Sequence, residues 1–171
     1  MTNHSSLPTI KLDQQLEFAN GLFPIVVQAP AEIDSLSQTC EWIKQNLSLI
    51  ENSLAKSGAV LFRGFPVEDA ETFDAFSAAF GYPSFTYKES LSNAVRINYT
   101  ERVFTANEAP KDVEIFLHHE MAQTPVSPDK LFFFCKSAAE VGGASPICRS
   151  DQLYAALRQK DPELALEFAS K

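Results

Sequence analysis

The chain has 171 residues, of which 45% are hydrophobic and 21% charged; this is one globular domain's composition and excludes collagen-like, low-complexity and disordered classes. Fourteen Lys and Arg against 22 Asp and Glu leave a formal net charge of −8. Such a surface repels phosphate backbones and anionic membranes, so neither nucleic acid nor membrane is an expected partner. No apolar run approaches the roughly 20 residues needed to cross a bilayer. Residues 1–6 lack the basic start of a signal peptide, so the expected compartment is the cytoplasm. Cys40, Cys135 and Cys148 are odd in number and form no CxxC pair, so they read as buried structural thiols.

Residues 1–20 are polar and expected to be only partly ordered, with His4 solvated. Residues 23–27 form a strand candidate rich in β-branched side chains. Leu36, Cys40, Ile43, Leu47, Ile50 and Leu54 then recur every three or four residues, one apolar stripe on a helix. Asp34 or Ser35 can cap its start, and Gly58 sits past its end. Residues 58–65 make a glycine-bounded strand, and a second helix carries Phe73, Phe76 and Phe80 up to Gly81. Residues 83–92 read as a loop, 94–99 as an alternating strand and 103–112 as a loop. Strands are expected at 113–119, 130–136 and 146–149, with a turn at Gly142-Gly143. Ser150 can cap a helix through Leu157, and Asp161-Pro162 can start another. Strands separated by loops favour an α+β fold with an antiparallel or mixed sheet and flanking helices. Neither GxGxxG nor GxxxxGK[ST] is present, so a phosphate-cradling loop is not the basis of function.

His118-His119-Glu120 is the most informative segment for chemistry. On a strand, positions i and i+2 share a face, so His118 and Glu120 would converge and His119 would point away. On a helix the same pair would diverge by about 200°. An imidazole and a carboxylate on one face are two-thirds of the facial triad that holds non-haem Fe(II).

Several pieces occur in a telling order: Gly58-Ala59-Val60-Leu61-Phe62-Arg63-Gly64-Phe65, Tyr99-Thr100, Leu117-His118-His119-Glu120-Met121, Leu131-Phe132-Phe133-Phe134-Cys135 and Gly142-Gly143-Ala144-Ser145-Pro146-Ile147-Cys148. Together they resemble the taurine dioxygenase-like (TauD/TfdA) family of Fe(II)/2-oxoglutarate-dependent dioxygenases. The resemblance implies a double-stranded β-helix, or jelly roll, here a partial one from residue 21 to residue 171. It implies that His118 and Glu120 ligate Fe(II), with Glu in place of the commoner Asp as in the clavaminate synthase-like branch. It implies that Ser145, standing where the family has Thr, offers its hydroxyl to 2-oxoglutarate. Residues 84–112 match the variable region that covers the active site in relatives, so Asn98, Tyr99 and Arg102 are candidate substrate contacts. The implied partners are O2 and a small-molecule substrate that is hydroxylated or otherwise oxidised.

The family pattern also includes a later ligand His and, shortly after it, an Arg that pairs with 2-oxoglutarate. After Glu120 this chain has no His, and its only basic residues after Ser145 are Arg149, Arg158, Lys160 and Lys171. The expectation is an N-terminal portion of a dioxygenase, truncated before both groups, that does not turn over 2-oxoglutarate at a normal rate. The alternative is a catalytically inactive remnant or binding module completed by another chain, either a homo-oligomer or a complementing C-terminal polypeptide. A zinc hydrolase built on His118 and Glu120 ranks last, because it lacks further ligands even more plainly.

Overall fold

The computed structural model describes residues 6–85, 96–106, 110 and 112–171; His4 and most of the expected loop at 83–92 lie outside them. Internal contacts divide the chain into two units, Met1–Val113 with Glu120–Ser137, and Glu114–His119 with Ala138–Lys171.

The first unit is built on β4 (Ile25–Gln28) and β5 (Val60–Arg63), which pair in parallel with Val26 opposite Leu61 and Val27 opposite Phe62. A parallel pair needs a crossover connection, and the helix α1 (Leu36–Ser57) supplies it. The succession of strand, helix and strand expected at 23–65 thus folds as one parallel unit. β1 (Thr9–Ile10) adds antiparallel to β4, giving a mixed sheet in the order β1-β4-β5. β2 (Leu16–Phe18) and β3 (Gly21–Phe23) form a separate hairpin. The polar start is therefore more ordered than expected from residue 6 onward: β1 pairs with β4, and Leu7 is buried in the core.

The apolar stripe of α1 meets this sheet. Val26, Val27 and Ile43 have no exposed surface, and burying each such side chain stabilises the fold by about 1.5–3 kcal/mol. The Ser35 side chain accepts from the Gln38 N–H at the start of α1, and Gly58 ends it at φ 85°, the left-handed conformation glycine adopts without strain. Ser57, which no periodicity marks, is buried; its hydroxyl donates to the Leu22 carbonyl at 2.9 Å and accepts from Ile25 N–H at 3.1 Å. It fastens the helix end to the strands.

The helix α2 (Ala70–Ala78) opens with a capping box between Asp69 and Thr72. The Thr72 side-chain bond, then its backbone bond, hold the Asp69 carboxyl below its ordinary value. Phe76 and Phe80 join Phe62, Phe65, Tyr82 and Phe132 in an aromatic cluster, mostly edge-on, with ring centroids 5.0–6.3 Å apart. Phe76 and Phe80 thus fill the core as plugs. Burial first, then the hydrogen bond to Glu51, push the Tyr82 phenol up to about 12.

In the second unit, α3 (Ser150–Lys160) and α4 (Pro162–Ala169) meet at Asp161. Its N–H donates to the Leu157 carbonyl and its carboxylate accepts from Leu164 N–H, ending one helix and capping the next. Pro162 takes the first helical position, as its fixed φ favours. Ser150 is not the cap: Arg149 holds that place without a side-chain cap bond.

The strands expected at 113–119, 130–136 and 146–149 are not formed among the described residues, and of 94–99 only an isolated bridge between Asn98 and Phe104 is described. β-propensity fits a chain to a pleated surface, but a strand needs a neighbour for its backbone N–H and C=O groups. Without one, Phe116 and Phe133 stand 72% and 78% exposed. The described strands make one three-stranded and one two-stranded sheet rather than a closed jelly roll. The thiols are also corrected: Cys40 is half-buried, while Cys135 and Cys148 are exposed, because their segments gain no covering partner. Among the described residues no helix is long and apolar enough to cross a membrane.

Candidate metal and cosubstrate site

His118 lies outside any strand, so alternation along a ladder does not orient it. Its Nδ1 stands 2.7 Å from the Phe116 carbonyl oxygen. A carbonyl can only accept, so Nδ1 is the donor in this contact. The neighbouring His119 is differently engaged: its Nε2 lies 2.7 Å from the Ser150 hydroxyl at the start of α3.

Glu120 belongs to the first unit. Arg96 Nη2 donates to its Oε1 at 3.1 Å, and the two side chains are only 15% and 18% exposed. The charge of the carboxylate is therefore compensated from within the fold. Immediately after it, Met121 is buried at φ 63°, a left-handed conformation that is uncommon for a residue with a side chain. The Thr124 N–H and hydroxyl both donate to the Met121 carbonyl, at 3.0 and 3.1 Å, and close the turn.

Ser145 is exposed, three residues past Gly142. Gly142 and Gly143 both have φ 70°, and a Cβ on Gly143 would stand 2.6 Å from the Ala139 Cβ. The turn therefore requires glycine at Gly143 on two counts.

Asn98 and Tyr99 are exposed on the bridged segment 97–105, where Tyr99 N–H donates to the Val103 carbonyl at 2.8 Å. Arg102 is more committed. Its Nε stands 3.6 Å from Asp74 Oδ1 on α2, and its Nη1 donates to the Tyr82 carbonyl at 3.5 Å. The Thr100 hydroxyl donates to the other Asp74 oxygen. A shallow cleft of about 400 Å³ lined by Thr9, Lys11, Asn20, Leu22 and Lys56 contains none of these candidates.

An imidazole and a carboxylate are two of the three donor groups of the facial triad that holds non-haem Fe(II). The family comparison agrees. The model of the Taurine catabolism dioxygenase TauD, TfdA family matches residues 22–169, and the chain belongs to that family. The chain is 40% identical over 157 residues to a clavaminate synthase-like protein of Arabidopsis thaliana, covering 89% of this chain and 47% of the relative. It is 30% identical over 122 residues to the dapdiamide synthesis protein DdaC of Enterobacter agglomerans, covering 71% of this chain and 36% of the relative. The chain thus spans less than half the length of these curated relatives.

The donor types of His118 and Glu120 suit Fe(II). Their number does not complete a site: among the described residues no group of three His, Cys, Asp or Glu side chains could hold a metal ion. Sequence reasoning missed Arg96. It lies 24 positions before Glu120 and shares no local motif with it, so only the fold could pair them.

Proposed function

We propose that the chain contributes part of the active site of an Fe(II)/2-oxoglutarate-dependent dioxygenase that oxidises a small molecule. His118 and Glu120 would supply two protein ligands to iron, and the remaining ligand would come from outside the described residues. Bound Fe(II) with 2-oxoglutarate supplies the activation of O2. The chain's own residues do the rest. His118 would present an imidazole nitrogen, its Nδ1 being held 2.7 Å from the Phe116 carbonyl oxygen. Glu120 presents a carboxylate held by Arg96. Ser145 offers a hydroxyl to a carboxylate of 2-oxoglutarate, while Asn98, Tyr99 and Arg102 lie on the segment assigned to substrate. The observation that carries this reading is the family match over residues 22–169, the region that contains His118 and Glu120.

A second reading, a binding module completed by another polypeptide, draws support from the exposure of Phe116, Phe133 and Val141. Two measurements on the purified chain separate the readings. Mn(II) binding is followed by loss of the free-ion EPR signal, and succinate formation is followed with Fe(II), ascorbate and 2-oxoglutarate. Mn(II) binding that vanishes in His118→Ala supports the dioxygenase reading, with or without succinate from the chain alone. Absence of both Mn(II) binding and succinate supports the second reading. Mn(II) binding unchanged in both His118→Ala and Glu120→Gln overturns the ligand assignment.

A further inference from the structure

Glu120 is held from two directions, and each hold traces back to the core of its own unit. On the side chain, Arg96 Nη2 reaches Oε1 at 3.1 Å. Arg96 is itself fixed: its Nη1 donates to the Thr105 carbonyl at 3.3 Å, and its guanidinium lies 5.4 Å from the Phe104 ring centroid. The segment that carries it is closed by Thr105 N–H donating to the Ile97 carbonyl at 2.9 Å and Ile97 N–H donating to the Thr105 hydroxyl at 3.0 Å. Asp74 on α2 takes Thr100 and Arg102 from the same segment, and α2 buries Phe76 in the core. On the backbone, the left-handed Met121 and its bonds from Thr124 fix the chain directly after Glu120. A residue with a side chain persists in that conformation only where its surroundings over-determine it.

We propose that Arg96 is the positioning residue for Glu120: its guanidinium orients the carboxylate before any cation arrives, and the Met121 turn fixes the backbone that carries it. This rests on the assignment of Glu120 as a metal ligand. A flexible glutamate would lose side-chain freedom on binding a cation, and an oriented one has already lost it. Arg suits the role because one N–H of its guanidinium supplies both the charge and the hydrogen bond that the carboxylate accepts. Outer partners of metal ligands of this kind typically contribute about 10–100-fold to metal affinity.

The test is Mn(II) titration by EPR on the full chain, comparing wild type, Arg96→Gln, Arg96→Lys and His118→Ala, with circular dichroism showing that each variant is folded at the temperature used. The expected result is about 10–100-fold weaker binding in Arg96→Gln, with Arg96→Lys restored to within about threefold of wild type because the cation returns to the carboxylate. Arg96→Gln within about threefold of wild type, while His118→Ala is weakened, overturns the positioning role and leaves the ligand assignment standing. Arg96→Lys no better than Arg96→Gln also overturns it, since a loss without rescue marks a merely structural residue. Absence of Mn(II) binding by the wild type overturns both this inference and the ligand assignment on which it rests.

Discussion

His119 Nε2 lies 2.7 Å from Ser150 Oγ, so the second histidine of the pair fastens its segment to the first residue of α3. His118, next to it, bonds its Nδ1 to a backbone carbonyl instead. Two adjacent imidazoles thus have different work, and the difference is measurable. His118→Ala is expected to weaken Mn(II) binding by at least about 100-fold, whereas His119→Ala changes it by less than about threefold. Competition of the chain against a fluorescent Mn(II) chelator reads both; equal losses would contradict the division of roles.

Ile43 sits at the centre of the α1 stripe with no exposed surface, among Val27, Ile50, Phe76 and Phe80. Ile43→Ala leaves a cavity there and is expected to cost about 2–5 kcal/mol. Against a domain stability of about 5–15 kcal/mol this is a large fraction. Leu153, 62% exposed on α3, is the control, and its replacement by Ala is expected to change stability by under about 0.5 kcal/mol. Urea unfolding measures both, and comparable shifts would show that α1 does not carry the core.

Arg149 and Asp151 form a two-pronged ion pair at the start of α3, with Nε to Oδ1 at 2.9 Å and Nη2 to Oδ2 at 2.5 Å. The Arg149 hydrogen bond is the chief cause that lowers the Asp151 carboxyl from 3.8 to about 2. A carboxyl depressed on folding contributes stability that is present above its unfolded value and lost as pH falls through the folded one. Wild type should therefore exceed Asp151→Asn in urea midpoint by a constant margin above about pH 5, and the margin should close as pH falls from 3.8 toward about 2. A margin equal at about pH 2 and at neutral pH would show that the pair does not contribute through ionisation.

Local periodicity made much of the first unit legible. The spacing of Leu36, Cys40, Ile43, Leu47, Ile50 and Leu54 marked α1, the pair Asp34-Ser35 and Gly58 marked its ends, and in the second unit Asp161-Pro162 marked the start of α4. These signals are readable because a helix satisfies its own backbone within a few residues. The ordered motifs likewise identified the family that the chain belongs to. Strands are different, since their hydrogen bonds go to distant neighbours. Residues 113–119 have the composition of a strand, yet they find no ladder partner among the described residues, while Thr9 and Ile10, in a polar stretch, pair with β4. Sequence alone therefore determined the helices, the aromatic core and the residue types of the candidate site. Tertiary structure decided the parallel pairing of β4 with β5, the split duties of His118 and His119, and the hold of Arg96 on Glu120. The physical reason is one of range: those contacts join groups far apart in sequence or turn neighbouring rings to different partners, and no local pattern encodes which partner a folded chain will supply.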